Sequence, residues 1–469
     1  MRPPILFSLL PVALAAALLA GCAVGPAYQV PTSAASLNPT LNYKESHGWA
    51  PAAPADTLER GQWWKLFNDA TLNELAERVE VSNQDVAAAV ASYAQARALV
   101  AQQRASLFPE VTLNGSGNRS GSNGNAGAAA SNYRLNIGAS WEPDVWGRLR
   151  AGVSGAQASA QASAADLASA RLSAQGELVA NYFLLRESDE ERKLLATTIT
   201  GYERVAQITQ NRFDAGIVAK SDVLQAQTQL ANARVDDLSL ARQRAQLEHA
   251  IAILLGVAPA DFTLATAPWT VDVPEVPVGL PSALLQRRPD IAAAERRVAA
   301  ANAQIGVARA AYYPNFGLSG SYATGGPRVA DLFSVSNAVW SFGLSAAQTL
   351  FNAGATRAGV ESAEASHQVA VARYRQTVLD AFGDVENQLT ATRVLMEQQV
   401  LRKQASAAAD QVEAQMLNRY KAGQVSYTEV VQAQATALSA RRALVQAQVD
   451  RQSTAVALIQ SLGGGWQAN

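Results

Sequence analysis

Asn211-Arg212-Phe213-Asp214-Ala215-Gly216, followed by Val223-Leu224-Gln225-Ala226-Gln227, returns as Asn418-Arg419-Tyr420-Lys421-Ala422-Gly423, followed by Val430-Val431-Gln432-Ala433-Gln434. The offset of 207 residues holds without a gap to Leu255-Gly256 against Leu462-Gly463, and Arg150-Ala151-Gly152-Val153 against Arg357-Ala358-Gly359-Val360 keeps it. Upstream, Asp85 and Pro109 match Asp290 and Pro314 at an offset of 205, so a two-residue insertion or deletion separates the registers. A period this long marks a duplicated half-domain, because solenoid units repeat every 20 to 50 residues. The chain is one structural unit built twice.

Around the repeat lie four helical blocks rich in Ala, Gln, Arg and Leu, near 71–107, 151–255, 290–311 and 356–462. Gly216 breaks the second and Gly423 the fourth, where a helix end calls for a left-handed residue that glycine adopts at little cost. Within 223–254 the apolar series Val223, Leu230, Ala233, Leu240, Leu247, Ile251, Leu254 recurs at helical spacing. Such a narrow, Ala-flanked stripe suits closely packed coiled-coil neighbours. Residues 151–213 span roughly 95 Å at about 1.5 Å per residue, too long for a compact domain. The shorter helices 71–107 and 220–255, stacked end to end, match that length, and 356–420 with 290–311 and 427–462 repeat the arrangement. The expected architecture is mainly α, a long helical shaft.

Two strand candidates fall in each half, near 110–141 and near 315–351. Tyr133 to Trp141 alternates strictly, with Tyr133, Leu135, Ile137, Ala139 and Trp141 on one face and Arg134, Asn136, Gly138 and Ser140 on the other. Trp340 to Ala346 does the same, and Val111 to Gly117 and Phe316 to Tyr322 do so more weakly. Terminal aromatics with a polar opposite face are what a membrane barrel presents to lipid and lumen. The competing reading is a half-exposed sheet in a soluble domain. The Gly/Ser/Asn-rich 115–131 and Ala323 to Asn337 read as hairpin loops. Four strands cannot close a barrel and a bilayer tolerates no open edge, so the barrel reading requires two or three copies.

The formal charge of −1 and pI near 6.4 give no long-range field for nucleic acid. His47, His249 and His367 are far apart, and a single cysteine offers no pair, so neither metal nor cofactor is expected. No phosphate-binding Gly-Lys-Ser/Thr loop and no convincing nucleophile–base cluster are present, so no enzyme is expected. Arg2 precedes an apolar run from Ile5 to Ala20 that reads as a signal peptide. Its end, Leu19-Ala20-Gly21-Cys22, resembles the bacterial lipobox, which implies a covalent lipid on Cys22. The alternative is a chance cysteine beside an ordinary cleavage site. Ala23, where an aspartate would retain the protein inside, implies export to the outer membrane.

Cys22-Ala23-Val24-Gly25-Pro26 with Tyr28 and Pro31, Trp63-Trp64-Lys65-Leu66-Phe67-Asn68-Asp69, Trp141-Glu142-Pro143-Asp144-Val145-Trp146-Gly147-Arg148, Arg287-Arg288-Pro289-Asp290-Ile291 and the two Ala-Gly turns appear in that order. Together they resemble the outer membrane factor superfamily typified by TolC and OprM, specifically its NodT-type lipoproteins, across essentially the whole chain. The resemblance implies a homotrimer with a shared 12-stranded transmembrane β-barrel and a periplasmic α-barrel. It implies the exit duct of a tripartite efflux pump for drugs or other small molecules, in the outer membrane and extending into the periplasm. The implied partners are outer-membrane lipid, a periplasmic adaptor and an inner-membrane transporter of the RND type. The domains expected are 1–21 signal peptide, 22–70 lipidated segment and belt, 71–256 first repeat, 257–289 Pro-rich belt linker, 290–463 second repeat and 464–469 tail.

In the family the tip turns at Gly216 and Gly423 close the pore and receive the adaptor. Asp222 and Tyr420 match positions that hydrogen-bond between neighbouring coiled coils, which implies a lock; Asp222 also suits the first turn of a helix by charge alone. Glu429 matches an acidic position that narrows the aperture, while Ser426-Tyr427-Thr428-Glu429 is also a capping-box pattern that would tie it to its own helix. Gln432 stands where relatives often carry a second aspartate, which weakens an acidic ring. Thr428 stands where an apolar plug can occur. The rival functions are a duct for type I protein secretion, a periplasmic adaptor lipoprotein and, most remotely, a lipoprotein enzyme.

Overall fold

The computed structural model describes residues 24–31, 60–121, 129–269, 272–274 and 288–464. The elements run α1 (Ala70–Ser82), α2 (Gln84–Ala105), β1 (Glu110–Ser120), β2 (Ala130–Trp141), α3 (Arg148–Asp214), α4 (Lys220–Leu254), α5 (Pro289–Ala310), β3 (Asn315–Gly326), β4 (Val339–Ala347), α6 (Ala355–Lys421) and α7 (Tyr427–Ser461). The duplication is literal. α3 and α6 each have 67 residues, α4 and α7 each 35, and α2 and α5 each 22. The offset changes from 205 to 207 between the first strand of each pair and the following long helix, so the two-residue difference lies between those elements. No described helix is long and apolar enough to cross a membrane.

Two compact units divide the chain. One holds 1–34, 92–164 and 293–376; the other holds 35–91, 165–292 and 377–469. The first contains the sheet, four antiparallel strands in the order β1-β2-β3-β4. Its strands extend into segments expected as loops: β1 reaches Ser120, β2 begins at Ala130 and β3 continues to Gly326. The glycines that suggested loops sit under large partners, Gly115 opposite Leu135 and Gly117 opposite Tyr133. The Leu135 and Tyr133 side chains cover the space where a Cβ would stand, so these glycines belong to the ladder. Residues 24–31 also pack in this unit. Val24 N donates to Trp146 O, Asn302 donates to Pro26 O, and Tyr28 bonds Glu295. Cys22, the signal-peptide boundary and the tail beyond Gly464 lie outside the described residues.

The second unit contains helix packing. The block expected as one helix over 71–107 is two, parted at Asn83, whose backbone is extended. Asn83 accepts from Asp85 N and Val86 N, starting α2, and its amide donates to Leu254 O at the end of α4. One buried side chain thus stacks α4 end to end with α2. Gly256 completes this joint at φ +66°, with a hypothetical Cβ only 2.2 Å from Ser82 O. At offset 205, Arg288 makes the equivalent joint, donating to Ser461 O at the end of α7 and to Asp290 at the start of α5. Of the apolar series read on α4, Val223, Ala233, Leu240, Ile251 and Leu254 are buried, while Leu230 and Leu247 are half-buried.

The described part of the Pro-rich linker lies against the helices. Arg186 donates to Ala265 O, Glu248 accepts from Leu264 N, and Trp269 donates to Gln452. Trp63, Trp64 and Phe67 are buried in a short 3-10 segment (Arg60–Phe67) near the end of the 22–70 segment. Phe67 packs on Phe183, with ring centroids 4.9 Å apart.

Candidate functional site

The α3–α4 and α6–α7 turns end their long helices in the same way. Gly216 has φ +71° and Gly423 φ +73°. Ile217 N donates to Arg212 O and Gly216 N to Phe213 O, and at offset 207 Gln424 N donates to Arg419 O and Gly423 N to Tyr420 O. These nested bonds satisfy carbonyls that the helix leaves unpaired. Nothing lies within 4 Å of a Cβ at either glycine, so conformation alone demands glycine there.

Below the turns, Val205, Ala226, Tyr420, Tyr427 and Val430 form a buried cluster. The Tyr420 and Tyr427 rings lie 5.4 Å apart at 53°. Arg212 ties the two hairpins together: its guanidinium stands 4.8 Å over the Tyr420 ring, and Nη1 donates to Tyr420 O at 3.1 Å. A cation at a helix C-terminus meets the negative end of the helix dipole, so both contacts have the same sign. Burial first, then the neighbouring Tyr420, Tyr202 and Asp222, push the Tyr427 hydroxyl well above its ordinary value. Tyr427 therefore stays neutral.

Within the chain, the expected Asp222–Tyr420 bond is not made. Tyr420 is 3% exposed and its hydroxyl lies 3.4 Å from Thr209 Oγ1, whereas the Asp222 carboxylate meets the Ser221 hydroxyl at 3.4 Å. Asp222 does occupy the first turn of α4, the position its simpler reading requires. The capping box at Ser426 is also not formed. Ser426 makes no side-chain cap bond; its hydroxyl points at the Glu429 carboxylate at 3.5 Å instead. Glu429 and Gln432 are exposed and border one groove with Val412, Met416 and Thr436. Thr428 bonds Gln225 at 3.4 Å, a second tie between the two hairpins, here from α7 to α4.

The sequence reading missed Arg212, Thr209 and Tyr427. Arg212 was visible as the invariant partner in Asn-Arg-aromatic, present in both halves. Tyr427 was visible as the counterpart of Lys220, a charged-to-aromatic change between the two tips at offset 207. Among the described residues, no three His, Cys, Asp or Glu side chains gather as a metal site.

In the sheet, Leu135, Ile137, Ala139 and Trp141 share one face with Leu318, Tyr322, Trp340, Phe342 and Leu344, by alternation and register. Trp340, Phe342 and Leu344 are each more than 70% exposed in the single chain. Eight residues separate Tyr133 from Trp141, about 27 Å along the strand, comparable to the apolar band of an outer-membrane barrel once tilt is allowed for. The opposite face carries Asn114, Ser116, Asn132, Arg134, Asn136, Ser321 and Ser341. β1 and β4 are free edges.

The outer membrane efflux protein family model matches residues 75–257 and 280–464. The toluene efflux pump outer membrane protein TtgC of Pseudomonas putida is 32% identical over 474 residues, 98% of this chain and 96% of that protein. The pyoverdine export outer membrane protein OpmQ of Pseudomonas aeruginosa is 32% identical over 433 residues, 89% of this chain and 90% of that one. Among solved structures, the outer-membrane channel OprN superposes with a TM-score of 0.82 at 32% identity, covering 95% of this chain and 100% of that chain.

Proposed function

The chain belongs to the outer membrane efflux protein family, and on that premise we propose that it is a passive, lipid-anchored exit duct gated at its helical tips. The observation that carries the duct is the sheet: four strands with an apolar aromatic face, a polar face and two free edges. Three copies supply twelve strands and leave no edge for the bilayer to solvate. Relatives of similar identity are named for toluene and for pyoverdine, cargoes of unlike chemistry. That variety suits a conduit whose energy and main selection come from its pump, and it favours small-molecule efflux over protein secretion.

At the tip, Asp222, Thr428, Glu429 and Gln432 form the rim presented to the pore and to neighbouring copies, and Gly216 and Gly423 set the turns that bear on the adaptor. The buried Tyr420 acts as the seat on which the two hairpins of one chain are held together, through Arg212. Opening separates them. The further partners are a periplasmic adaptor and an RND-type transporter, and Cys22 carries the lipid anchor.

Deletion of the gene from its host, followed by accumulation of a fluorescent efflux dye, tests this function. Accumulation that rises on deletion and returns to normal with the intact chain supports it; unchanged accumulation across dyes and solvents opposes it. Ala219→Cys, beside the first turn, should crosslink to a co-encoded adaptor in cells, and failure with every one counts against docking at this tip. Cys22→Ser should abolish palmitate labelling; persistent labelling sinks the anchor assignment.

A further inference from the structure

We propose that Arg134 is a charge filter in the barrel lumen, a threefold ring of guanidinium groups that favours anionic cargo over cationic cargo at the outer-membrane stage of export. The inference rests on the duct reading above. Only Glu110, Arg119 and Arg134 are ionic in the four strands. Alternation puts Arg119 on the face of Val111 and Leu113, near the loop end, where an arginine can reach the headgroups. Arg134 is on the opposite face, bordering a polar hollow with Asn114, Ser116, Asn132 and Asn136.

Among the described residues, nothing offsets its charge. Glu110, the one acid sharing that face, pairs with Ser140, six residues along β2 from Arg134. That separation is about 20 Å at ~3.4 Å per residue, roughly twice the screening length at 0.1 M salt. In the hairpin between β3 and β4, Arg328 pairs with Asp331, and the segment from Gly121 to Ala129 carries no ionic side chain. Among the described residues the Arg134 side chain has neither salt bridge nor hydrogen bond, and it is exposed on that face.

Its surroundings also make it the most prominent group on the face. The cross-strand neighbours are Ser116 on β1 and Gly325 on β3. A Cβ at Gly325 would come 2.7 Å from Tyr133 O and 3.4 Å from Arg134 Cα, so no larger side chain can stand beside the arginine. Around it the face is Ser, Asn, Gly and Ala, short groups that leave room for solute. Three long cations in a passage with low-dielectric walls concentrate anions, because the walls focus the field into the water they enclose. Guanidinium is planar and binds carboxylate or phosphate through two parallel hydrogen bonds, so carboxylated and phosphorylated solutes gain most.

The test uses the purified full chain in planar bilayers under a tenfold KCl gradient, with tripolyphosphate then added on the extracellular side. Against wild type, Arg134→Ser should lower the chloride-to-potassium permeability ratio about twofold or more, and Arg134→Glu should lower it further. Arg134→Lys should retain most of the wild-type ratio but need more tripolyphosphate for half-block, having lost the paired geometry. SDS-resistant trimers confirm that each variant is assembled. Channels that conduct with wild-type selectivity and wild-type block in the Ser and Glu variants overturn the filter and leave the duct standing. Trimers of every variant, wild type included, that never conduct overturn the duct, and the filter with it.

Discussion

Arg212→Ala removes the tie between the two hairpins of one chain while leaving the buried tyrosines in place. Arg212 is half-buried, so its cation–π contact with Tyr420 contributes roughly 1 kcal/mol. The charged hydrogen bond to Tyr420 O, partly solvated, contributes roughly 1.5 kcal/mol. If the open tip breaks both contacts, the closed state loses about 2.5 kcal/mol of its advantage, close to a seventyfold shift toward open. Single-channel recording of the purified chain should show long-lived open bursts in the variant where the wild type shows brief ones. Tyr420→Phe is the control: it removes only a 3.4 Å contact with Thr209 and keeps the ring under Arg212. Its open probability should stay within a few-fold of wild type. If Tyr420→Phe opens the channel as much as Arg212→Ala, the hydroxyl and a partner such as Asp222 hold the gate, and the clamp reasoning is wrong.

Three further outcomes follow from the helical unit. Burial, and next to it Glu191 and Asp450, push the Glu187 carboxyl up from 4.5 to about 7, against the pull of Arg442. The folded chain therefore keeps this proton to higher pH than the unfolded one. Its contribution to stability is intact below about pH 4.5 and is lost progressively up to about pH 7, by about 3 kcal/mol at most. Glu187→Gln should flatten the dependence of Tm on pH over that window and raise Tm at pH 8; an unchanged slope refutes the assignment. Asn83→Ala removes the cap of α2 and strands the buried Leu254 carbonyl, costing about 2–3 kcal/mol in denaturant unfolding. Gly256→Ala should prevent trimer assembly through its clash with Ser82 O. Gly216→Ala, with open space around it, should cost only about 1–2 kcal/mol and still assemble. Equal effects of the two would show that backbone conformation alone decides.

The repeat at offset 207 was enough to place both tips, because glycine at a helix end is a conformational requirement written in residue identity. The aromatic alternation of Tyr133 to Trp141 likewise identified a barrel face before any pairing was known. Strand ends were only partly legible: Val111 to Gly117 alternates weakly, while the Gly/Ser/Asn-rich 115–131 that reads as loop is strand as far as Ser120 and again from Ala130. The break at Asn83 was hidden: its caps are ordinary, but the partner that fixes it, Leu254 O, is 171 residues away. At the tip, the resemblance supplied positions and the structure supplied contacts. Tyr420 stands out in sequence as the aromatic that replaces Phe213, and its seat against Thr209, Arg212 and Tyr427 depends on how two hairpins pack. In the single chain Asp222 is half-exposed and Glu429 exposed.

A twelve-stranded barrel requires three chains to close through the free edges β1 and β4. Disulfide crosslinking in intact cells measures this, with Ser116→Cys on β1 combined in turn with cysteine at Ser341, Gly343 or Ser345 on β4. At least one pairing should give, under oxidation, a ladder of one, two and three chains that stops at three and collapses on reduction. A ladder that ends at two chains, or single chains in every pairing, would contradict the twelve-stranded barrel.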